Sequence, residues 1–471
     1  MRPRSLLAFL ALAACSTTEK APGIDCPDRA FAGSPLGVRC DQLVDTEGRA
    51  VLLHGVNARI NGLFDGLLED GTSAVGPTAD FGDADAQAMR AMGLNALRLP
   101  LSWSAIEPTE TGGFAEDYLD RAAAVVAACR KAGVLVLLDM HQDGYSKFIG
   151  DDGAPKWATL PAPPPRDPND GNRNVGPAAQ AAFNTFFGTG ADGVRLRQRF
   201  AAMLVHVAGR LATDPAVFGF ELYNEPLSTD ERLVAFDKEM VAALRAVMPA
   251  KLILFEPSAI RNVIDSALPG NEWLGGGSVY APHVYTCVFS PCKTAATKET
   301  LRRSNASARD EADGYRAPLV ITEWGYGPSS SDFGDYVRWQ QELEDEYAAS
   351  AFLWVWKEPG LGQWGFFDFD PKTLAATRRD AAVAKFSRVR VEAVAGQLLS
   401  VSYDADARAL EVRFRGDDAI RAPNLISIGA TPSFTTYDAT CDGAGVAAAA
   451  GEPLALPCSG AGEHVLRLRA R

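Results

Sequence analysis

The sequence predicts a (β/α)₈ barrel followed by a small carboxyl-terminal β-sandwich. Eight short β-type segments alternate with amphipathic helical segments through most of the chain, which is typical of a parallel barrel. From about residue 386 the pattern changes to short alternating strands separated by turn residues, which favours a sandwich. Apolar residues make up 47% of the 471 residues and charged residues 22%, a composition that fits a folded protein with a large core.

Each strand candidate is a short run rich in branched apolar residues. The eight runs are Val51–Asn57, Ala96–Leu101, Val134–Met140, Val217–Asn224, Leu252–Pro257, Val279–His283, Leu319–Glu323 and Phe352–Lys357. Between them, apolar residues recur at helical spacing in Asp83–Met92, Tyr118–Lys131, Arg195–Thr213 and Glu231–Val247. A barrel of this kind takes roughly 250 residues or more. We therefore predict one catalytic barrel domain over residues 43–385 and a sandwich domain over residues 386–471.

The amino terminus has the pattern of an export signal. Two early arginines precede the apolar run Leu6–Ala14, which ends directly before Cys15. The run is too short to span a bilayer, and small residues before a cysteine resemble the bacterial lipobox, in which that cysteine is lipidated. Residues 1–15 are therefore predicted to be a signal peptide with a lipobox, and residues 16–42 a linker. Ser16 favours sorting to an outer membrane, and the alternative is a soluble secreted protein.

The cysteines fit an exported protein. In an oxidising compartment three close pairs are plausible disulfides: Cys26 with Cys40, Cys287 with Cys292, and Cys441 with Cys458. Cys129 is left over in a helical run, where a small buried apolar side chain is expected. The formal net charge of −13 repels phosphate backbones, so no nucleic-acid partner is expected.

Polar residues stand at the ends of the predicted strands, where a barrel carries its chemistry. Asn224 and Glu225 end the fourth strand, and Glu323 ends the seventh. Two carboxylates across a barrel mouth suit glycoside hydrolysis, in which one protonates the leaving oxygen and the other attacks the anomeric carbon. In a retaining enzyme the two carboxyl groups are about 5–5.5 Å apart.

Neighbouring residues fit these two roles. We expect Arg98 to keep Glu323 ionised, whereas Glu225 needs a partly apolar setting that raises its pKa so that it keeps its proton near neutral pH. Asn224 is expected to donate to the sugar 2-hydroxyl. Tyr285 is expected to donate a hydrogen bond to the nucleophile, and Trp356 to present a flat face to a sugar ring.

A metal site is the main chemical alternative. Asp139, His141, Asp143 and His283 include good ligands. Their spacing matches no common metal motif, and a metal would leave both glutamates and the tryptophans unexplained. We therefore expect no metal and no organic cofactor.

An ordered set of motifs resembles glycoside hydrolase family 5. These motifs are Leu97-Arg98-Leu99-Pro100, Tyr223-Asn224-Glu225-Pro226, His283-Val284-Tyr285 and Thr322-Glu323-Trp324-Gly325. A further set resembles its endoglycoceramidase branch: Leu138-Asp139-Met140-His141-Gln142-Asp143 with Tyr145-Ser146, Asp152-Gly153-Ala154-Pro155, Phe255-Glu256-Pro257 and Ala281-Pro282-His283. The resemblance covers about residues 43 to 385, and the carboxyl-terminal β-domain also agrees with that branch.

The resemblance implies a role for each site residue. Glu225 would be the acid/base and Glu323 the nucleophile. The subsite of the cleaved sugar would be lined by Arg98, His141, Asn224, His283, Tyr285 and Trp356. Asp139 and Asp143 would bind sugar hydroxyls. By strand alternation Trp354 shares a face with Trp356, so the assignment between these two tryptophans stays open.

The implied activity is retaining hydrolysis of the β-glycosidic bond between a glycan and ceramide. The expected partners are a glycosphingolipid and, through the lipid anchor, a membrane. Branch members typically carry a lysine in the first loop, and the segment Ala58–Asn61 lacks one, so glycan preference stays open. Two alternatives remain: the same chemistry on a β-glucan or β-mannan, and an inactive barrel that binds carbohydrate.

Overall fold

The computed structural model describes residues 33–471 apart from 69–70, 72–74, 168–169, 268–275, 290–295, 360–363, 371, 374, 430, 432–433 and 450. The predicted signal peptide and Cys15 lie outside the described residues. Within the described ranges, we find no helix with the length and apolar content needed to cross a membrane.

The barrel forms as predicted. After three short strands, β1 (Leu36–Arg39), β2 (Gln42–Asp45) and β3 (Ala50–Val51), the barrel strands are β4 (His54–Asn57), β5 (Ala96–Ser102), β6 (Leu135–His141), β7 (Val217–Glu221), β8 (Leu252–Phe255), β9 (Ser278–Tyr280), β10 (His283–Val284), β11 (Val320–Trp324) and β12 (Ser350–Leu353). In the described chain these nine strands form one parallel sheet in the order β10-β11-β12-β4-β5-β6-β7-β8-β9.

The sixth predicted strand is split in two, which explains nine strands instead of eight. β9 ends at Tyr280, whose bridge to Leu319 closes the barrel, and β10 starts at His283 beside Glu323. Pro282 separates the two halves, and a proline has no N–H to donate to a sheet ladder. The interruption places His283 next to the nucleophile candidate.

Alternation along the strands puts apolar residues low in the barrel and charged ones above them. Ala96 and Leu137 belong to the buried cluster between the barrel strands. Two residues further on, on the same face, stand Arg98 and Asp139, both fully buried. Two more residues along β6, His141 reaches the mouth. The barrel therefore presents its charged layer at the carboxyl ends of the strands.

Helices pack around the sheet through their apolar faces. The helices are α1 (Asp83–Ala91), α2 (Trp103–Ile106), α3 (Glu116–Ala132), α4 (Pro177–Phe186), α5 (Ala191–Leu211), α6 (Asp230–Arg245), α7 (Arg261–Ile264), α8 (Lys298–Tyr315), α9 (Phe333–Glu346) and α10 (Asp380–Phe386). A large core between strands and helices includes Cys129, which is buried and free as predicted.

The remaining strands are β13 (Lys357–Pro359), β14 (Phe367–Phe369), β15 (Ala376–Arg378), β16 (Arg390–Val394), β17 (Gly396–Asp404), β18 (Ala409–Gly416), β19 (Asn424–Ser427), β20 (Tyr437–Cys441), β21 (Ala444–Gly445), β22 (Leu454–Leu456) and β23 (Gly462–Ala470). β13, β14 and β15 form a small sheet after the barrel. Two antiparallel sheets, β1-β2-β3-β16-β19-β22 and β17-β18-β23-β20-β21, share one apolar core and form the predicted sandwich.

The predicted domain division is wrong at the amino-terminal side. Residues 36–42 were predicted to lie in a linker, but residues 36–39 form β1, and β2 and β3 follow in the same sheet as the carboxyl-terminal strands. β3 pairs with β16, so the sandwich uses residues from both ends of the described chain. Strands of two to four residues carry too little alternation for a periodicity argument to detect them.

One predicted disulfide is confirmed. Cys441 and Cys458 are bonded, with Cα atoms 5.6 Å apart. Cys40 and Cys287 each take part in a disulfide as well. Their predicted partners, Cys26 and Cys292, lie outside the described residues.

Candidate active site

Arg98 lies at the centre of the candidate site. Its Nε donates to Glu221 (2.5 Å) and its Nη1 to Glu323 (2.6 Å). Its Nη2 lies 3.1 Å from Asp139 and 3.4 Å from Glu256. Burial lowers the pKa of Arg98, but the charges of these four carboxylates raise it to well above its ordinary value. The guanidinium therefore stays a cation, and it links carboxylates that lie on β6, β7 and β11 and directly after β8.

Both oxygens of Glu323 accept hydrogen bonds. Oε1 accepts from Arg98 at 2.6 Å, and Oε2 accepts from the Tyr285 hydroxyl at 2.7 Å, as the sequence predicted. Burial raises the pKa of Tyr285, and the charge of Glu323 raises it further, so the phenol remains a donor. The Glu323 side chain is 6% exposed at the barrel mouth. Its carboxylate is therefore fixed in one orientation at the site.

Glu225 follows β7 in a left-handed backbone conformation, with a φ of 44°. This region is unfavourable for residues with a Cβ, so surrounding contacts must hold it. Oε1 of Glu225 accepts a hydrogen bond from Asn262 Nδ2 at 2.6 Å and lies 2.8 Å from His283 Nδ1. The side chain is 22% exposed, so the carboxyl group is held from below and open toward the mouth.

The electrostatic setting of Glu225 differs from the prediction. Burial raises the pKa of Glu225, but the hydrogen bond and charge of His283, with the charges of His141 and Arg98, lower it below its ordinary value. The expectation of an apolar setting that raises the pKa of Glu225 is therefore wrong. Cations and donors dominate because three barrel strands direct them at one carboxyl group.

The two candidate catalytic carboxylates lie close together. Glu225, His283 and Glu323 each offer an atom within 4.8 Å of the other two. This upper limit on the distance between single atoms is compatible with the roughly 5–5.5 Å between carboxyl groups in retaining glycosidases, whereas inverting ones keep theirs about 6.5–9.5 Å apart to leave room for water. The geometry suits direct attack on a sugar carbon.

His141 and its neighbours line the opposite side of the mouth. Asp139 was predicted to bind sugar hydroxyls, but it is fully buried, with Oδ2 2.6 Å from His141 Nδ1 and Oδ1 facing Arg98. It lies two residues below His141 on β6 and orients that imidazole. Asp143 is 25% exposed, 3.5 Å from His141 Nε2, and can reach a ligand. Burial raises the pKa of Asp143 to about 6, against the lowering effect of His141.

The two tryptophans separate into different roles. Trp356 was predicted to stack on a sugar, but it is buried, and its Nε1 donates to Asp85 of α1 at 2.9 Å. Trp354 is partly exposed and stacks on His141, with centroids 5.5 Å apart and rings at 12°. Because β12 ends at Leu353, strand alternation does not extend to either residue. The prediction for Trp356 is wrong, and of the two tryptophans it is Trp354 that is partly exposed beside His141.

Most of the predicted site residues come together. Arg98, Asn224, His283, Tyr285 and Glu323 form one buried network, in which Asn224 Oδ1 accepts from Arg98 at 2.8 Å. The four ligand candidates of the metal alternative do not form one group among the described residues. His141 and Asp143 cluster with Asp152, whereas His283 clusters with the glutamates.

Three residues of the network received no role in the sequence analysis, although Glu256 stands in one of its motifs. Glu221 and Glu256 bind Arg98, and Asn262 of α7 binds Glu225. A signal existed for the first two, since a carboxylate inside or directly after an apolar strand must face a cation or be protonated. The sequence around Asn262 gives no such signal. It lies in α7, a helix of four residues, and its position relative to Glu225 depends on how the chain folds after β8.

Comparisons with known proteins agree with the geometry. The model of the cellulase family (glycosyl hydrolase family 5) matches residues 47–360, more than half of the 471 residues. Endoglycoceramidase I of Rhodococcus hoagii is 30% identical over 321 residues, covering 60% of this chain and 61% of that protein. The chain thus spans less than two thirds of that relative. Endoglycoceramidase of Cyanea nozakii is 25% identical over 419 residues, covering 79% of each chain.

A solved structure shares the whole architecture. Endo-glycoceramidase II from Rhodococcus sp., captured as a lactosyl-enzyme intermediate, superposes with a TM-score of 0.74 at 25% identity, covering 92% of this chain and 100% of that chain. The barrel and the sandwich are therefore arranged much as in that solved structure.

Replacing each tryptophan by alanine tests the separation of their roles. We expect Trp354→Ala to lower kcat/KM for an aryl β-lactoside by about 100-fold, with little change in stability, because a positioning surface is lost. Trp356→Ala should lower the free energy of unfolding by about 3–5 kcal/mol, because it leaves a core cavity. Steady-state kinetics and urea unfolding of both variants check this. If Trp356→Ala instead lowers kcat/KM and Trp354→Ala lowers stability, Trp356 would be the residue that stacks on the sugar.

Proposed function

Since the chain belongs to glycosyl hydrolase family 5, we propose that it hydrolyses the β-glycosidic bond between a glycan and ceramide in glycosphingolipids. The reaction proceeds with retention of configuration at the anomeric carbon. One observation carries the proposal: Glu225 and Glu323 meet within 4.8 Å at the barrel mouth, each held by its own donors. Glu225 is the acid/base and Glu323 the nucleophile.

In the first step Glu323 attacks the anomeric carbon while Glu225 transfers a proton to the glycosidic oxygen. A carbon–oxygen bond forms to Glu323, and the bond to ceramide breaks with release of its alcohol. Arg98 and Tyr285 hold the attacking carboxylate, so little reorganisation is needed in the transition state. The product is a covalent glycosyl-enzyme.

In the second step water replaces Glu323 on the sugar. Glu225, now a carboxylate, takes a proton from that water, and the new hydroxyl receives the configuration of the original bond. The cations around Glu225 favour its ionised form, which suits this step. In the first step, closure of the site by substrate excludes water and raises the proton affinity of the same group.

The glycan is held on the side of His141 and Trp354. Asn224 Oδ1 accepts from Arg98 and its Nδ2 donates to the carbonyl of Gln142 at 2.9 Å, so the amide orientation is fixed. Its second N–H is available to the sugar 2-hydroxyl. His141 and Asp143 supply further polar contacts beside the Trp354 ring.

An exposed apolar surface beside Glu225 supports a lipid leaving group. Ile260, Val263 and Ile264 in and next to α7 are 50–62% exposed, and Phe289 is 55% exposed. α7 also carries Asn262, which binds the proton donor, so these side chains flank the side where the leaving group departs. Adjoining exposed apolar residues mark sites for apolar partners. The named relatives, described as endoglycoceramidases, support the same assignment.

Isosteric variants of the two glutamates test the assignment. With lactosylceramide, Glu225→Gln should lower release of ceramide by about 10²–10⁴-fold, because no proton reaches the leaving oxygen. With an aryl lactoside whose leaving group needs no proton, the same variant should still form the glycosyl-enzyme and release a burst of phenolate. Glu323→Gln should lose both reactions. Chromatography of lipid products and rapid-mixing absorbance give the two readouts.

Other substrates in the same experiment separate the alternatives. Soluble β-glucan and β-mannan are offered in parallel to the protein lacking residues 1–15. Turnover of polymers alone would replace the ceramide assignment by a polysaccharide hydrolase. Binding of glycans without turnover of any substrate would identify a carbohydrate-binding protein.

We also propose export and attachment to a membrane through a lipid on Cys15. The support is the pattern of the leader, in which the apolar run Leu6–Ala14 ends directly before Cys15. A lipid anchor would place the site near lipid substrates.

Replacing Cys15 tests the anchor. In a double-membraned bacterium we expect the full chain to sediment with membranes and Cys15→Ala to appear in the soluble fraction, whereas Ser16→Ala, which keeps the lipidated cysteine, stays with membranes. Fractionation and immunoblotting give the readout. Soluble behaviour of the unsubstituted chain would favour the secreted alternative.

A further inference from the structure

We propose that Glu256 is a positioning residue for Glu225: one of its carboxyl oxygens fixes the Glu225 backbone, and the other makes Glu256, His283 and Glu225 share their protons as one unit. The inference rests on the proposed role of Glu225 as acid/base. Glu256 would act on the reaction through Glu225, without touching the substrate.

The backbone contact is direct. Glu256 follows β8, and its side chain is 3% exposed. Its Oε2 accepts a hydrogen bond from the backbone N–H of Glu225 at 3.0 Å. Glu225 has a left-handed φ of 44°, so this bond holds a strained conformation at the residue that must reach the leaving oxygen. Glu256 therefore helps to aim the acid/base.

The second oxygen reaches Glu225 through an imidazole. Oε1 of Glu256 lies 3.4 Å from Nε2 of His283, whose Nδ1 lies 2.8 Å from Oε1 of Glu225. Among the described residues, Nε2 of His283 has no hydrogen-bond partner of ordinary geometry. The charged group beside this nitrogen is the carboxyl group of Glu256. The three side chains form a carboxyl–imidazole–carboxyl row. Such contacts often tighten when substrate binds.

Within this row, the surroundings keep protons on Glu256 and His283. The charged and titratable groups that face this row are Arg98, Glu221, Tyr285 and Glu323, with His141 and Asp143 across the mouth. Asp139 lies behind Arg98, with which it pairs. Burial raises the pKa of Glu256, and Glu221 raises it further against the lowering charges of His283 and Arg98. Burial lowers the pKa of His283, but Glu256 and Glu323 raise it to well above its ordinary value.

Because the three groups exchange protons, the charge of Glu256 changes how strongly His283 and Glu225 bind theirs. At low pH Glu256 is neutral and resembles a glutamine electrostatically. When the proton of Glu256 passes through His283 to Glu225, Glu256 becomes a carboxylate, and its negative charge strengthens proton binding by His283 and Glu225. The acid form of Glu225 therefore survives to a higher pH than it would beside a neutral residue.

Glu256→Gln separates proton sharing from simple support. The amide oxygen of glutamine can still accept the Glu225 N–H, but it cannot titrate. We expect the alkaline limb of kcat/KM for phenyl β-lactoside to move about one pH unit lower, with the acid limb unchanged. At pH 8 the variant should lose about tenfold more activity on phenyl lactoside than on dinitrophenyl lactoside, whose leaving group needs no proton.

Tyr285→Phe is the matched control. It also removes one buried polar contact, but on Glu323, so both aryl lactosides should slow by the same factor and the alkaline limb should stay in place. The proposal of proton sharing is overturned if Glu256→Gln leaves the alkaline limb of kcat/KM in place and slows both substrates equally. Glu256 would then only support the structure around Glu225.

A second measurement uses the unsubstituted protein. Its 5 histidines can be labelled with ¹⁵N, and the His283 imidazole should lose its proton with the same midpoint as the alkaline limb. A midpoint more than about one pH unit away would contradict the coupling.

The aryl lactosides also separate this proposal from the proposed function. Failure to cleave glycolipids would leave the test intact, since it needs only a glycosidase. Full activity of Glu225→Gln on phenyl lactoside would instead refute the acid/base role on which the inference rests.

Discussion

The buried guanidinium of Arg98 is the interaction on which the site depends. It compensates Glu221, Glu323, Asp139 and Glu256, four carboxylates that barrel closure brings together without access to water. Without it, several of these groups would have to be protonated or the mouth would have to open, since an isolated buried charge is very costly. Glu323, the proposed nucleophile, is thus paired with and oriented by the same cation that allows the strands to converge.

The rest of the architecture follows from this constraint. Strand alternation places Arg98 one layer above the apolar floor, and the break at Pro282 brings His283 beside Glu323. The residues after β7 and β8 then supply Glu225, the proposed proton donor, and the groups that hold it. The charged layer is specified by the barrel strands, whereas the exposed apolar side chains in and next to α7 belong to the segment that follows β8. This division fits a fold that keeps one chemistry and varies its leaving group through loops.

Much of this was available from the sequence, and the failures have physical causes. Glu225, Glu323 and Tyr285 stand near the carboxyl ends of strands and Arg98 lies within one, so the order of the strands and the motifs brought them together. Trp356 was misplaced because β12 ends before it, and alternation does not continue into a loop. The depth of Asp139 and the cationic setting of Glu225 depend on which side chains meet across strands. The pairing of β3 with β16 is a long-range contact that no local pattern records.

The central claim is that Glu225 and Glu323 act as a retaining pair, and the configuration of the first product tests it most directly. Hydrolysis of an aryl β-lactoside can be followed by proton NMR from the first minutes, before the released sugar mutarotates. The account predicts that the β-anomer of lactose appears first and then equilibrates. Initial appearance of the α-anomer would show a single displacement by water, which would contradict a covalent glycosyl-enzyme on Glu323.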